Sequence, residues 1–169
     1  MSSFNSGWYV MYTRPRHEKK VQQQLSERSI TTFLPMRKSV RQWSDRKKIV
    51  IEPLFPSYLF VYLKDMDNFF AGKDADGYLY YVRSGEKIAV VNDEVVNSVK
   101  LVAGEGRDVE VTTEQRFPSG VRLVISKGPL TGLSCEVVEF QQKQKLLVRV
   151  DLLQRNILMS LPEESLTEI

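Results

Sequence analysis

Few side chains in this sequence could do covalent or metal chemistry, and their spacing suits none of the usual reactions. A nucleophile needs a base beside it. The chain has one histidine, His17, and one cysteine, Cys135. His17 stands among Arg14, Arg16, Lys19 and Lys20, surroundings that favour a surface or phosphate-contacting role over a general base. Cys135 falls in an expected strand and reads as a buried structural thiol. These counts exclude an internal disulfide, a cysteine-rich zinc site and a His-His metal motif. Gly128-Pro129-Leu130-Thr131-Gly132 lacks the Lys-Ser/Thr ending of a nucleoside-triphosphate loop. Asp65, Asp67, Asp74 and Asp76 alternate loosely, as in a calcium loop, without its glycine and closing glutamate. The sequence therefore predicts no enzyme, no metal and no cofactor; a nuclease using Asp65, Asp67 and Asp74 is a distant third reading.

Charge is the stronger signal. The formal balance of +3 over 169 residues is uneven. Residues 1–102 carry 16 Lys+Arg against 11 Asp+Glu, and residues 103–169 carry 8 against 10. Between Arg14 and Lys48 there are 11 basic side chains and 3 acidic ones. Such density fits a polyanion partner, or a solvated surface that only keeps the protein soluble. The longest apolar stretch, Pro53 to Leu63, is too short to span a bilayer. No export leader is evident, so a cytoplasmic location without membrane contact is the default expectation.

The elements that must position these charges follow from periodicity. Gly7 to Thr13 reads as a strand. Pro15 then stands where a helix can begin. Arg16 to Arg28 puts Val21 and Leu25 on one stripe, with Arg16, Lys19, Lys20, Gln23 and Gln24 opposite. Ile30 to Ile51 alternates around Ser44-Asp45 as a hairpin. Its arms carry Arg37, Lys38 and Arg41, then Arg46, Lys47 and Lys48, with Trp43 near the tip. A basic ribbon with an aromatic at its turn can follow a nucleic-acid backbone; it can equally be an exposed hairpin whose charges discourage edge pairing.

Leu54 to Leu63 is the strongest strand, with Phe55, Leu59, Val61 and Leu63 on one face and Tyr58, Phe60 and Tyr62 on the other. Two apolar faces predict a central strand covered on both sides. A short helix near Met66 to Lys73, a strand over Tyr78 to Arg83 and a helix over Glu94 to Val102 complete an α+β sandwich. Ala103 to Arg116 reads as a linker. Strands over Val121–Ser126, Glu136–Phe140, Lys145–Asp151 and Asn156–Leu161 then suit a small β-barrel. One helical turn is expected at Glu163 to Leu166.

Read in order, Trp8-Tyr9-Val10-Met11-Tyr12-Thr13, Pro15-Arg16-His17-Glu18-Lys19-Lys20, Phe33-Leu34-Pro35-Met36 and Pro53-Leu54-Phe55-Pro56-Ser57-Tyr58-Leu59-Phe60-Val61 resemble the NusG family of transcription elongation factors. Gly120-Val121 and Lys127-Gly128-Pro129-Leu130-Thr131-Gly132-Leu133 resemble the family's KOW module. The chain looks closest to specialised RfaH-like or UpxY-like antiterminators. Ser57 and Cys135 stand where the general factor usually has glycine.

The resemblance implies an NGN-type α/β sandwich with an antiparallel sheet over 1–102, a linker over 103–116 and a KOW SH3-like barrel over 117–169. It implies binding to the clamp helices of the large RNA polymerase subunit through Tyr12, Tyr58 and Phe60, with Tyr81 as their neighbour. Nontemplate DNA would pass Arg14, Arg16, His17, Lys20 and Gln24 first, and Arg46, Lys47 and Lys48 second. Asp76, where relatives tend to be basic, weakens the loop it occupies as a DNA contact. The KOW module would recruit a termination factor or a small-subunit ribosomal protein, through Leu130, Leu133, Ile157 and Met159 unless these are barrel core. Some specialised relatives refold this module as a helical hairpin, but Val148 and Val150 favour strand here. The implied function is suppression of pausing or termination at particular long operons, such as surface-polysaccharide operons. A KOW-containing ribosomal or RNA-binding protein is the rival; it leaves the aromatic run at 55–62 unexplained.

Overall fold

A computed structural model describes residues 4–105, 109–115, 117, 121–126 and 128–160. The chain divides into two compact units, one of residues 1–35 with 53–93 and one of residues 36–52 with 94–169.

In the first unit, β1 (Gly7–Thr13) lies at the centre of a four-stranded antiparallel sheet. It is followed by α1 (Glu18–Glu27) and the two-residue β2 (Thr32–Phe33). In the second unit, β3 (Met36–Trp43) and β4 (Arg46–Pro53) form the basic ribbon, turning at Ser44-Asp45 as expected. The first sheet resumes with β5 (Tyr58–Leu63), then α2 (Met66–Lys73) and β6 (Tyr78–Tyr81), in the order β2-β5-β1-β6. A small pair, β7 (Arg83–Ser84) with β8 (Lys87–Ile88), precedes α3 (Asp93–Glu105).

The two faces of the first sheet differ. Met11, Leu59, Val61, Leu63 and Tyr81 are fully or almost fully buried on one face. There α1 contributes Val21 and Leu25, and the Arg28 guanidinium donates to the Ala71 carbonyl of α2 at 2.6 Å. Gly72 makes the close approach of α2 possible, since a Cβ there would collide with the Tyr81 hydroxyl and stand 3.2 Å from Met11. The opposite face carries Trp8, Val10 and Tyr12 beside Tyr62, Phe60 and Tyr58.

Helix ends account for several polar residues. Asp65 caps α2 by accepting from the Asn68 amide at 2.9 Å, and the Asn68 side chain accepts from the Lys64 amide. Two of the acidic residues considered for metal chemistry flank this helix, Asp65 as its N-cap and Asp74 as its C-cap. At the end of α1, the Ile30 amide bonds the Leu25 carbonyl and the Ser29 amide bonds that of Ser26. Ser29 is left-handed there, at φ 61°, so a serine fills a position usually given to glycine.

Three expectations near these elements need correction. Pro15 does not open α1: Arg16 is left-handed at φ 67°, and the helix starts only at Glu18. The strand expected from Leu54 begins at Tyr58, because Leu54 to Ser57 form a turn. Phe55 is buried in that turn, not on the strand face. The helix after Asn92 runs on to Glu105.

The second unit also contains a five-stranded antiparallel sheet ordered β10-β11-β12-β13-β9. Its strands are β9 (Val109–Thr112), β10 (Val121–Val124), β11 (Ser134–Phe140), β12 (Lys143–Val150) and β13 (Arg155–Ser160). Its core includes Phe117, Val138, Leu147 and Leu158. The segment read as a linker supplies β9, since Val109, Val111 and their neighbours pair with β13. The sheet is not a closed barrel among the described residues: β10 and β9 are its two edges. Residues 143–150 are strand, as Val148 and Val150 suggested. Cys135 sits in β11 opposite Leu123, so a side chain is accommodated in a regular ladder. Burial, and then the neighbouring Glu136 charge, push its thiol up to about 11. The turn expected at 163–166 lies outside the described residues.

No helix among the described residues is long and apolar enough to cross a membrane.

Candidate functional site

Three tyrosines form a row across three strands of the first sheet. Tyr12 on β1 is opposite Tyr58 on β5 and Tyr80 on β6. The Tyr12 and Tyr58 ring centroids are 5.1 Å apart. Tyr12 and Tyr80 stack at 5.0 Å with planes 27° apart. Tyr12 and Tyr58 are half-buried, while Tyr80 is 50% exposed. Such a row offers rigid apolar area with polar rims, the surface chemistry of a protein-docking site.

The other two expected groove residues lie elsewhere in the packing. Phe60 shares the face of Tyr58 but is fully buried, its ring 5.7 Å from Phe33. Tyr81 points to the opposite face, stacked on Phe69 at 4.9 Å, with its hydroxyl donating to the Phe69 carbonyl at 2.8 Å. Burial raises the Tyr81 hydroxyl well above the usual tyrosine range. Tyr80 is therefore the third member of the row, which the sequence reading missed. The register shifts between Tyr12 and Thr13, so Thr13 pairs with Tyr78 while Tyr12 pairs with Tyr80. That shift breaks the simple alternation by which Tyr80 could have been found.

Of the nucleic-acid candidates, Lys20 and Gln24 lie on α1, His17 is its N-cap, and Arg14 and Arg16 stand in the turn before it. Arg14, Arg16 and Lys20 are exposed, and His17 and Gln24 are half-buried. The loop before β6 is clasped against this face. Gln24 donates from Nε2 to the Asp76 carbonyl at 3.2 Å and accepts at Oε1 from the Asp76 amide at 2.9 Å. The Arg14 amide donates to the Gly77 carbonyl at 2.8 Å. Gly77 has φ +116°, and a Cβ there would sit 2.9 Å from both His17 and Val21. Lys20 Nζ lies 2.6 Å from the Asp76 carboxylate. The Lys20 hydrogen bond and charge, with smaller contributions from His17 and Arg14, hold that carboxyl below its usual range. His17 Nδ1 is 3.0 Å from the Pro15 carbonyl, an acceptor that requires the ring proton to be on Nδ1.

The ribbon presents Arg46, Lys47 and Lys48 exposed, with Lys48 Nζ 5.7 Å from the centre of the exposed Trp43 ring. Its other cations are partly neutralised. Arg37 and Arg41 both pair with Glu52, and the Ser39 hydroxyl donates to the same carboxylate at 3.0 Å. The Ser39 hydrogen bond and these two guanidiniums hold Glu52 below the ordinary glutamate range.

The four residues considered as contacts of the second module are interior. Leu130, Leu133, Ile157 and Met159 are at most 1% exposed. They are core, the alternative that the sequence had left open.

A family model, NusG, described as transcription termination factor nusG, matches residues 6–100, more than half of the chain. Among solved structures, one described as domain interaction in Thermotoga maritima NusG superposes with a TM-score of 0.54 at 20% identity, covering 92% of this chain and 94% of that one. The MjSpt4:Spt5 complex in conformation B gives a TM-score of 0.34 at 12% identity, covering 92% and 99%. The family is described as one of transcription factors. With the matched segment spanning the tyrosine row, α1 and its clasped loop, the chain belongs to the NusG family.

Proposed function

We propose that the chain is an elongation and antitermination factor that docks on the clamp helices of RNA polymerase through Tyr58, Tyr12 and Tyr80. The observation that carries this reading is the tyrosine row itself, aligned across three strands and open at Tyr80. A helical partner laid on it would gain apolar contact and hydrogen bonds from the ring hydroxyls. The α1 face with Lys20 and Gln24, together with Arg14, Arg16 and His17 of the turn that leads into it, then lies along nontemplate DNA, and Arg46, Lys47 and Lys48 of the ribbon add a second basic strip. Phosphate contacts of this kind give salt-dependent, sequence-tolerant affinity.

Docking that favours the closed polymerase suppresses pausing through a coupling free energy between binding and the closed state. Action at particular long operons rests on the resemblance to specialised paralogues. We take residues 1–102 as the polymerase-binding module and place the start of the KOW-type module at β9 rather than at Phe117. Recruitment of a ribosomal protein or termination factor by that module would have to use a surface other than the buried Leu130, Leu133, Ile157 and Met159.

The test is binding of the full chain to purified polymerase core, with run-off transcription recording pauses and readthrough. Tyr12→Ala should weaken binding by more than about 1 kcal/mol, as expected for an aromatic contact at the centre of an interface, and should lose the effect on pausing. Wild-type affinity in a folded Tyr12→Ala protein would remove the docking surface.

A further inference from the structure

Asp76 is the one acidic side chain paired directly with the proposed nucleic-acid face of α1 among the described residues. Its position is fixed by backbone contacts rather than by its own carboxylate. Gln24 holds both its amide and its carbonyl, and the next residue, Gly77, is pressed against His17 and bonded to Arg14. An isolated exposed ion pair is usually weak, because two mobile side chains must be ordered to form it. Here one partner is already in place, so the carboxylate stands 2.6 Å from Lys20 without further loss of backbone freedom.

We propose that Asp76 is a built-in competitor for phosphate on the α1 face. It holds Lys20 and repels a passing backbone, so non-specific strand binding is held down. This rests on the reading of α1 as a nucleic-acid surface and adds its regulation. A strand phosphate reaching Lys20 must replace the Asp76 carboxylate as its partner and tolerate that charge nearby. Arg14 and Arg16, both exposed, remain as contacts. The consequence is a face that grips a strand weakly until other contacts, such as those to polymerase, hold it there.

The experiment is titration of the full-length protein with a single-stranded oligonucleotide across a salt series. The set is wild type, Asp76→Asn, Asp74→Asn and the double variant Arg14→Gln/Arg16→Gln. Asp76→Asn leaves the backbone clasp to Gln24 available, so the fold has no reason to change. It should tighten binding about two- to fivefold at low salt, the range of one exposed charge pair. It should also steepen the dependence of log affinity on log salt by about 0.7, the value for one added phosphate contact on a single strand. Asp74→Asn makes the same change in net charge without touching Lys20; it should leave that slope unchanged. Equal effects of Asp76→Asn and Asp74→Asn would overturn the competitor and leave the surface standing. Unchanged binding in the double arginine variant, or no binding by wild type, would overturn the surface and the competitor with it.

Discussion

The two units treat the residues singled out as partner contacts in opposite ways. In the first sheet the row Tyr58–Tyr12–Tyr80 stays half open, with Tyr80 50% exposed. In the second unit, Leu130 and Leu133 in the turn before β11 and Ile157 and Met159 on β13 are closed in the interior. Aliphatic side chains have nothing to gain at a surface, whereas a tyrosine ring tolerates partial exposure because its hydroxyl stays wet. A candidate docking surface is thus picked out by what a fold leaves uncovered and by residue types that make the exposure inexpensive. Phe60 shows the limit: it shares a strand face with Tyr58 yet is fully buried.

That contrast can be broken first at its buried ends. Phe60→Ala should destabilise the protein by about 3–5 kcal/mol and Ile157→Ala by about 2–5 kcal/mol, the usual range for core truncations, read by denaturant unfolding. A cost near zero at either position would mean that the residue is not core. The next effect separates the two faces of β6. Tyr80→Ala should weaken polymerase binding by more than about 1 kcal/mol with little change in stability. Tyr81→Phe should do the reverse. It loses one hydrogen bond, to the Phe69 carbonyl, at about 1 kcal/mol of stability, and leaves binding unchanged. Equal binding losses in both variants would erase the distinction between the faces.

The third effect concerns Glu52, whose folded-state carboxyl is held low by Ser39, Arg37 and Arg41. A lowered carboxyl contributes stability that is present above the ordinary glutamate range and is lost as the pH falls through the lowered value. The ribbon should therefore loosen on acidification from about pH 5 downward, followed by Trp43 fluorescence, and Glu52→Gln should abolish that dependence. The smallest effect is at Ser57, which is buried and left-handed at φ 72° while its carbonyl accepts from the Thr13 amide at 2.7 Å. Ser57→Gly relieves that backbone strain but loosens the unfolded chain. The net gain should be under about 1 kcal/mol in a thermal melt.

The sequence by itself determined the local elements whose signals are periodic or chemical. β1 and α2 have the bounds that alternation and helix length suggested, and Ser44-Asp45 is the turn of the basic ribbon. Val21 and Leu25 are the buried stripe of α1, because side-chain spacing on a helix fixes which residues share a face. The ordered aromatic run also carried the family, which the matched model then established.

Tertiary structure alone decided what depends on register, curvature and neighbours distant in sequence. A shift between Tyr12 and Thr13 chose Tyr80 over Tyr81 for the tyrosine row. Pairing with β13 turned part of an expected linker into a strand. Asp76 became the partner of Lys20 across 56 positions because Gln24 and Gly77 hold its loop against α1. A local pattern records which residues are apolar or charged; it holds no information about which of them will meet, since that is set by the free energy of the whole packed chain.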